Sequence, residues 1–139
     1  MAPQTPRSGG AFACYSGPMR LRWLIYALCI AGLLAAVHWY ATEHFLYWRF
    51  RWFDTPMHLL GGATIGTLAV AVLGRFRPWL YLSLIVLAAV GWELFESAAG
   101  IAVLPGVDYG WDTAHDLLND ALGGIAVYAI ARFTVWRSA

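Results

Sequence analysis

Asp112-Thr113-Ala114-His115-Asp116-Leu117-Leu118-Asn119-Asp120-Ala121-Leu122-Gly123-Gly124 introduces a run that then stays apolar as far as Ala131. Asp112, Asp116 and Asp120 recur every fourth residue, which on an α-helix stacks them along one slowly drifting stripe. Three anions at the head of a membrane-length helix need a partner.

Composition sets the class. The chain has 139 residues, 60% hydrophobic and only 12% charged, against about 25% charged in an ordinary soluble domain. This is the balance of an integral membrane protein. Aromatic residues make up 16%, with eight Trp, and such rings favour the headgroup level of a bilayer. A net charge of +1 excludes a nucleic-acid partner, which needs a basic face. Cys14 falls in a polar tail and Cys29 inside an apolar run, so neither a structural disulfide nor a thiolate metal site is expected.

Residues 1–22 are rich in Pro, Gly and Ser and lack apolar periodicity, so a mobile cytoplasmic tail is predicted there. An uncharged run over residues 23–40 ends in His38-Trp39-Tyr40 and reads as a retained first span rather than a cleaved signal. Residues 41–53 crowd Phe, Tyr and Trp around Arg49 and Arg51, the composition of a segment lying in the interface. Asp54 or Thr55 can then cap a helix with Pro56 in its first turn, giving a second span to about residue 73. A third span is predicted over about 79–104, closed by Pro105-Gly106, and a fourth over about 113–132, followed by a short cytoplasmic tail at 134–139. Each run meets the roughly 20 residues needed to cross a hydrocarbon core. The predicted fold is therefore all-α: a membrane four-helix bundle in up-down order, with an interfacial aromatic segment between spans one and two.

All nine basic residues are arginine. Arg7, Arg20, Arg22, Arg75, Arg77, Arg132 and Arg137 fall on one side of this topology and only Arg49 and Arg51 on the other, so the positive-inside rule places both termini in the cytoplasm. Polar residues from three segments then arrive at one depth near the opposite face. Asp54 and His58 open span two; Glu93 and Glu96 lie about 21 and 26 Å from the inner boundary; Asp120 lies about 18 Å above Arg132.

Some of these have simpler readings. Asp54 and Asp112 fit helix caps, Asp108 a solvated loop, His38 and His44 ordinary interfacial positions, and His115, about 100° off the stripe, either role. Glu93, Glu96, Asp116 and Asp120 do not, because a carboxylate inside a spanning helix costs about 2.5–3.5 kcal/mol. No arginine is predicted within the membrane to pair with them. Two explanations remain open: shared protons among the acids, His58 and Asn119, or a bound cation. Carboxylates with one imidazole suit Mg²⁺, Mn²⁺, Ca²⁺ or Zn²⁺, with Asp54, His58, Glu96, Asp112 and Asp116 as ligands and Glu93 or Asp120 as a general base. The spacing Asp54-x-x-x-His58-x-x-Gly61-Gly62 echoes Asp116-x-x-x-Asp120-x-x-Gly123-Gly124. Glycine pairs of this kind let helices approach closely in lipid, and a parallel repeat is one way membrane sites are built.

Three stretches, Phe53-Asp54-Thr55-Pro56-Met57-His58-Leu59-Leu60-Gly61, Trp92-Glu93-Leu94-Phe95-Glu96 and Gly110-Trp111-Asp112-Thr113-Ala114-His115-Asp116-Leu117-Leu118, resemble the YjdF-like family of bacterial inner-membrane proteins. More distantly, they resemble the VanZ-like proteins linked to glycopeptide resistance. The resemblance covers about residues 45–132 and implies a multi-pass inner-membrane location and a shared polar centre. It departs in having fewer spans and in reading Val107-Asp108-Tyr109-Gly110 where the family usually has Gln-Gly-Asp. It implies no reaction. Three functions stay open: a metal-dependent hydrolase acting on a lipid-linked or headgroup substrate, an ion- or proton-coupled transporter, and a scaffold without catalysis. A first span poor in polar residues is free to face lipid or a second copy in a homodimer.

Overall fold

A computed structural model describes residues 17–74, 77–100 and 108–136. Long apolar runs without period-two alternation make every element helical among these residues: α1 (Gly17–Glu43), α2 (Leu46–Arg49), a 3₁₀ turn (Arg51–Phe53), α3 (Asp54–Leu73), α4 (Pro78–Ala99) and α5 (Tyr109–Thr134). Arg7, Cys14, Arg75, Pro105, Gly106, Val107 and Arg137 lie outside the described residues.

Local chemistry explains where these elements start and stop. The expected tail gives way to helix at Gly17, because the Arg20 guanidinium donates to the last carbonyls of α3, Ala71 O at 3.0 Å and Val72 O at 2.9 Å, a favourable place for a cation. Phe45, in a left-handed conformation at φ 56°, breaks α1 from α2, so the aromatic segment is a series of short turns that leaves Trp48, Phe50 and Trp52 exposed. Gly74 and Gly100, at φ 61° and 68°, end α3 and α4; α4 therefore stops at Ala99, short of the expected 104. Helix α5 starts earlier than expected, because Asp108 Oδ1 accepts from the Trp111 N–H at 3.0 Å. Asp108 is thus a cap and not merely solvated. Asp54 is the reverse: it is the first residue of α3, and the cap position before it is taken by Phe53, which makes no side-chain capping bond.

Three of these helical stretches are long and apolar enough to cross a membrane: Met19–Glu43, Arg51–Leu73 and Pro78–Ala99. Helix α5 is as long but carries Asp112, Asp116, Asn119 and Asp120. The chain is a membrane protein, all-helical among the described residues, with three candidate spans.

Helix α3 is the centre of the packing, touching α5 most extensively, then α1, then α4. It runs parallel to α5: His58 meets Asp120, Gly62 the backbone of Asp120, and Gly66 stands against Gly124 and Val127. Helices α1 and α4 run the other way, since Arg20 near the start of α1 reaches the end of α3, and Tyr81 near the start of α4 donates to Gly124 O at 2.7 Å. At that end a dry core gathers Val70, Tyr81, Ile85, Ala131 and Trp136. The two faces are inverted relative to a soluble protein. Leu24, Ile25, Leu28, Leu33, Val86 and Leu87 are exposed while His58, Asp116, Asn119 and Asp120 are buried, which only a lipid surround makes stable.

Candidate metal centre

The parallel pairing of α3 with α5 brings the polar residues together. A Cβ at Gly62 would strike the backbone of Asp120, and one at Gly123 the backbone carbonyl of Leu59, so the two helices approach as closely as backbones can. That contact sets the register in which His58 on α3 lies between Asp116 and Asp120 on α5. The Asp54/His58/Gly62 and Asp116/Asp120/Gly124 echo is thus realised as one helix pair.

His58 is 5% exposed and sits at the middle of the cluster. Its Nδ1 is 3.1 Å from Asp120 Oδ2, a hydrogen bond in which the ring N–H donates to the carboxylate. Its Nε2 is 3.6 Å from Asp54 Oδ1 and 3.8 Å from Asp116 Oδ1. Those separations are too long for hydrogen bonds and fit two ligands on one ion, each about 2.0–2.2 Å from it. Helix α4 adds two more carboxylates. His58, Glu93 and Glu96 offer ligand atoms within 4.8 Å of one another, as do Asp54, His58 and Asp116. Glu93 is 6% exposed and its Oε1 has no hydrogen-bond partner, with Thr113 beside it but out of hydrogen-bonding geometry. Glu96 Oε1 accepts from the Trp92 indole N–H at 2.9 Å. Among the described residues no arginine stands within ion-pair distance of any of these acids.

Of the expected site residues, Asp54, His58 and Asp116 form one group and His58, Glu93 and Glu96 a second that shares the imidazole, and Asp120 joins both through His58. Asp112, in the first turn of α5, is not among the groups that meet. Asn119 is buried but turns away, its Nδ2 donating to His115 Nδ1 at 3.2 Å, and His115 itself is exposed. Two residues carried no signal in the sequence. His38 Nδ1 shares a 2.8 Å hydrogen bond with the Tyr47 hydroxyl, and its ring meets Trp92 edge-on. Burial first, then the Asp54 and Glu96 carboxylates, push the Tyr47 phenol above its ordinary value, so it remains a hydrogen-bond donor. The turn at Phe45, which folds α2 back against α1, brings Tyr47 to His38 beside the cluster.

Below the cluster lies a cavity of about 390 Å³ between α1, α3 and α4, with Asp54, His58, Glu96 and Asp120 at its polar end.

Fold and site together define a membrane protein of apolar helices enclosing a buried His/Asp cluster. The chain belongs to the family described as "Predicted membrane protein (DUF2238)", whose profile matches residues 11–137; this is the YjdF-like family. Nothing in the match supports the more distant VanZ-like resemblance. No curated protein and no solved structure matches the chain.

Proposed function

We propose that this protein is a four-span inner-membrane protein that holds a divalent cation on Asp54, His58, Glu96 and Asp116, and that the ion serves hydrolysis of a headgroup at the non-cytoplasmic surface. The observation that carries this reading is the orientation of His58. With Nδ1 paired to Asp120, Nε2 faces the Asp54 and Asp116 carboxylates; a cation between them would take the place of an Nε2 proton and be held by three electron donors. An imidazole among the oxygens favours Mn²⁺ or Zn²⁺ over Mg²⁺ and Ca²⁺. Such an ion polarises a phosphoryl or carbonyl oxygen and orients the group to be cleaved.

The chain's own groups supply the remaining chemistry. Glu93, buried with a free Oε1, is placed to take a proton from attacking water. Asp120 is a positioning residue: it keeps the His58 ring in the tautomer that ligates. The packing supports four spans: α5 lies parallel to α3, and its Asp116 and Asp120 are buried rather than turned to lipid. Arg20, Arg22 and Arg132 stand at the end of the helices away from the cluster, which supports cytoplasmic termini. Transport fits less well, because the half of the molecule beyond the cavity is closed by Val70, Tyr81 and Trp136.

Metal analysis of the purified protein tests the reading. Stoichiometric Mn²⁺ or Zn²⁺ is expected, lost in Asp116→Asn and Glu96→Gln while circular dichroism stays unchanged. A wild-type protein that takes up no divalent ion after dialysis against it would overturn the proposal.

A further inference from the structure

The cavity beneath the cluster has the shape and chemistry of a tail slot. Along α4 it runs from Glu96 down to Ile85, about 16 Å at 1.5 Å per residue. Small side chains open it: Ala31 and Ala35 on α1, Ala88 and Ala89 on α4, Gly61 and Gly62 on α3. The one hydroxyl on its lower wall, Thr64, is already spent on Leu60 O at 2.7 Å, so nothing there asks for a polar ligand. At about 390 Å³ it falls near the lower end of the roughly 300–1,000 Å³ typical of small-ligand pockets. That is room for one hydrocarbon chain and not for two.

Access is lateral. Helices α1 and α4 each pack on α3 but have no extensive contact with one another; their rings meet at His38 and Trp92, centroids 6.3 Å apart, at the polar end. Beneath that contact the slot is lined by α1, α3 and α4, with no extensive α1–α4 contact to close it on that side. An amphiphile diffusing in the membrane can slide its chain between α1 and α4 while its head arrives at His58, passing the Tyr47 hydroxyl.

We infer that the ligand of this site is a single-chain amphiphile with a phosphate head, its chain lying in the α1/α3/α4 slot and its phosphate at the His58 cluster. This rests on the metal reading for the head alone; the chain's place rests on the slot. The acids at the cluster repel a bare phosphate, so the head binds through the cation, and a chain is needed to hold it there.

Photo-crosslinking of the full chain in phosphatidylcholine nanodiscs decides the matter, using dodecyl phosphate with a diazirine in its tail. Label is expected on α1 near Ala31 and Ala35 and on α4 near Ala88 and Ala89. It should fall about tenfold when Ala35→Leu and Ala88→Leu fill the slot, with bound metal unchanged as proof of folding. Inorganic phosphate in excess should not displace it, and a diazirine-tailed phosphatidylcholine should label the slot poorly. Label spread evenly over lipid-facing residues such as Leu28 and Leu87, or unchanged in the leucine variant, or equal for the two-chain probe, would overturn the inference. Slot labelling in a protein that binds no divalent ion would leave the tail site standing and remove the metal reading alone.

Discussion

His58 has one ring and five carboxylates about it, those of Asp54, Glu93, Glu96, Asp116 and Asp120, and its two nitrogens divide the work. Because Nδ1 is held by Asp120 at 3.1 Å, removing that hydrogen bond should loosen the ligating nitrogen without removing it. Asp120→Asn is expected to weaken divalent-ion affinity about 10–100-fold, measured by competition with a chelating dye, whereas His58→Ala should abolish binding. Equal affinities for Asp120→Asn and wild type would mean that Asp120 has no hold on the ring. Glu93 presents the opposite trade. A carboxylate buried inside a spanning helix costs about 2.5–3.5 kcal/mol, so Glu93→Gln, which removes the charge at nearly constant size, should raise the metal-free protein's resistance to unfolding by up to about that much, read from denaturation in detergent, while the bound ion is retained. Loss of stability in that variant would show that Glu93 is a structural group.

The pairing of α3 with α5 is what makes a site out of scattered acids, and it depends on two glycines. Gly62→Ala and Gly123→Ala each place a methyl into the facing backbone, which should cost about 1–3 kcal/mol as the helices separate and should release the ion, because His58 then leaves Asp116 and Asp120. Gly91→Ala, where an added Cβ meets nothing, is the control and should match wild type in both melting temperature and metal content. If all three glycine variants behave alike, close approach is not what holds the register. Helix ends matter on a smaller scale: Arg20→Ala removes two bonds to the final carbonyls of α3 and should lower stability by about 0.3–1 kcal/mol.

Taken whole, the molecule is asymmetric along its helix axes. One end holds the dry core of Tyr81 and Trp136 with Arg20, Arg22 and Arg132 nearby; the other holds the acids, the aromatic turns and Arg49 and Arg51. Reporter fusions at both termini should therefore read cytoplasmic, and a tag inserted beside Trp52 should be accessible from outside in intact cells. A terminus on each side would remove α5 as a span and leave the three apolar helices alone in the membrane.

Much of this was legible in the residues before any coordinates. Hydrophobic content and run length set the membrane class and the helices, since burying backbone polar groups in lipid leaves little choice but helix. Period-four carboxylates in segments without arginine marked the cluster, since unpaired charge in hydrocarbon is too costly to be incidental. Ends were harder: Asp108 capping α5, Gly100 stopping α4 and Arg20 drawing the tail into α1 are competitions between nearby groups that composition does not rank. Which nitrogen of His58 meets which acid, the place of Asp112 outside the two ligand groups, the arrival of His38 and Tyr47, and the slot under the cluster belong to the tertiary structure. They follow from the register of α3 against α5 and from the turn at Phe45, and a contact between residues tens of positions apart leaves no trace in local spacing.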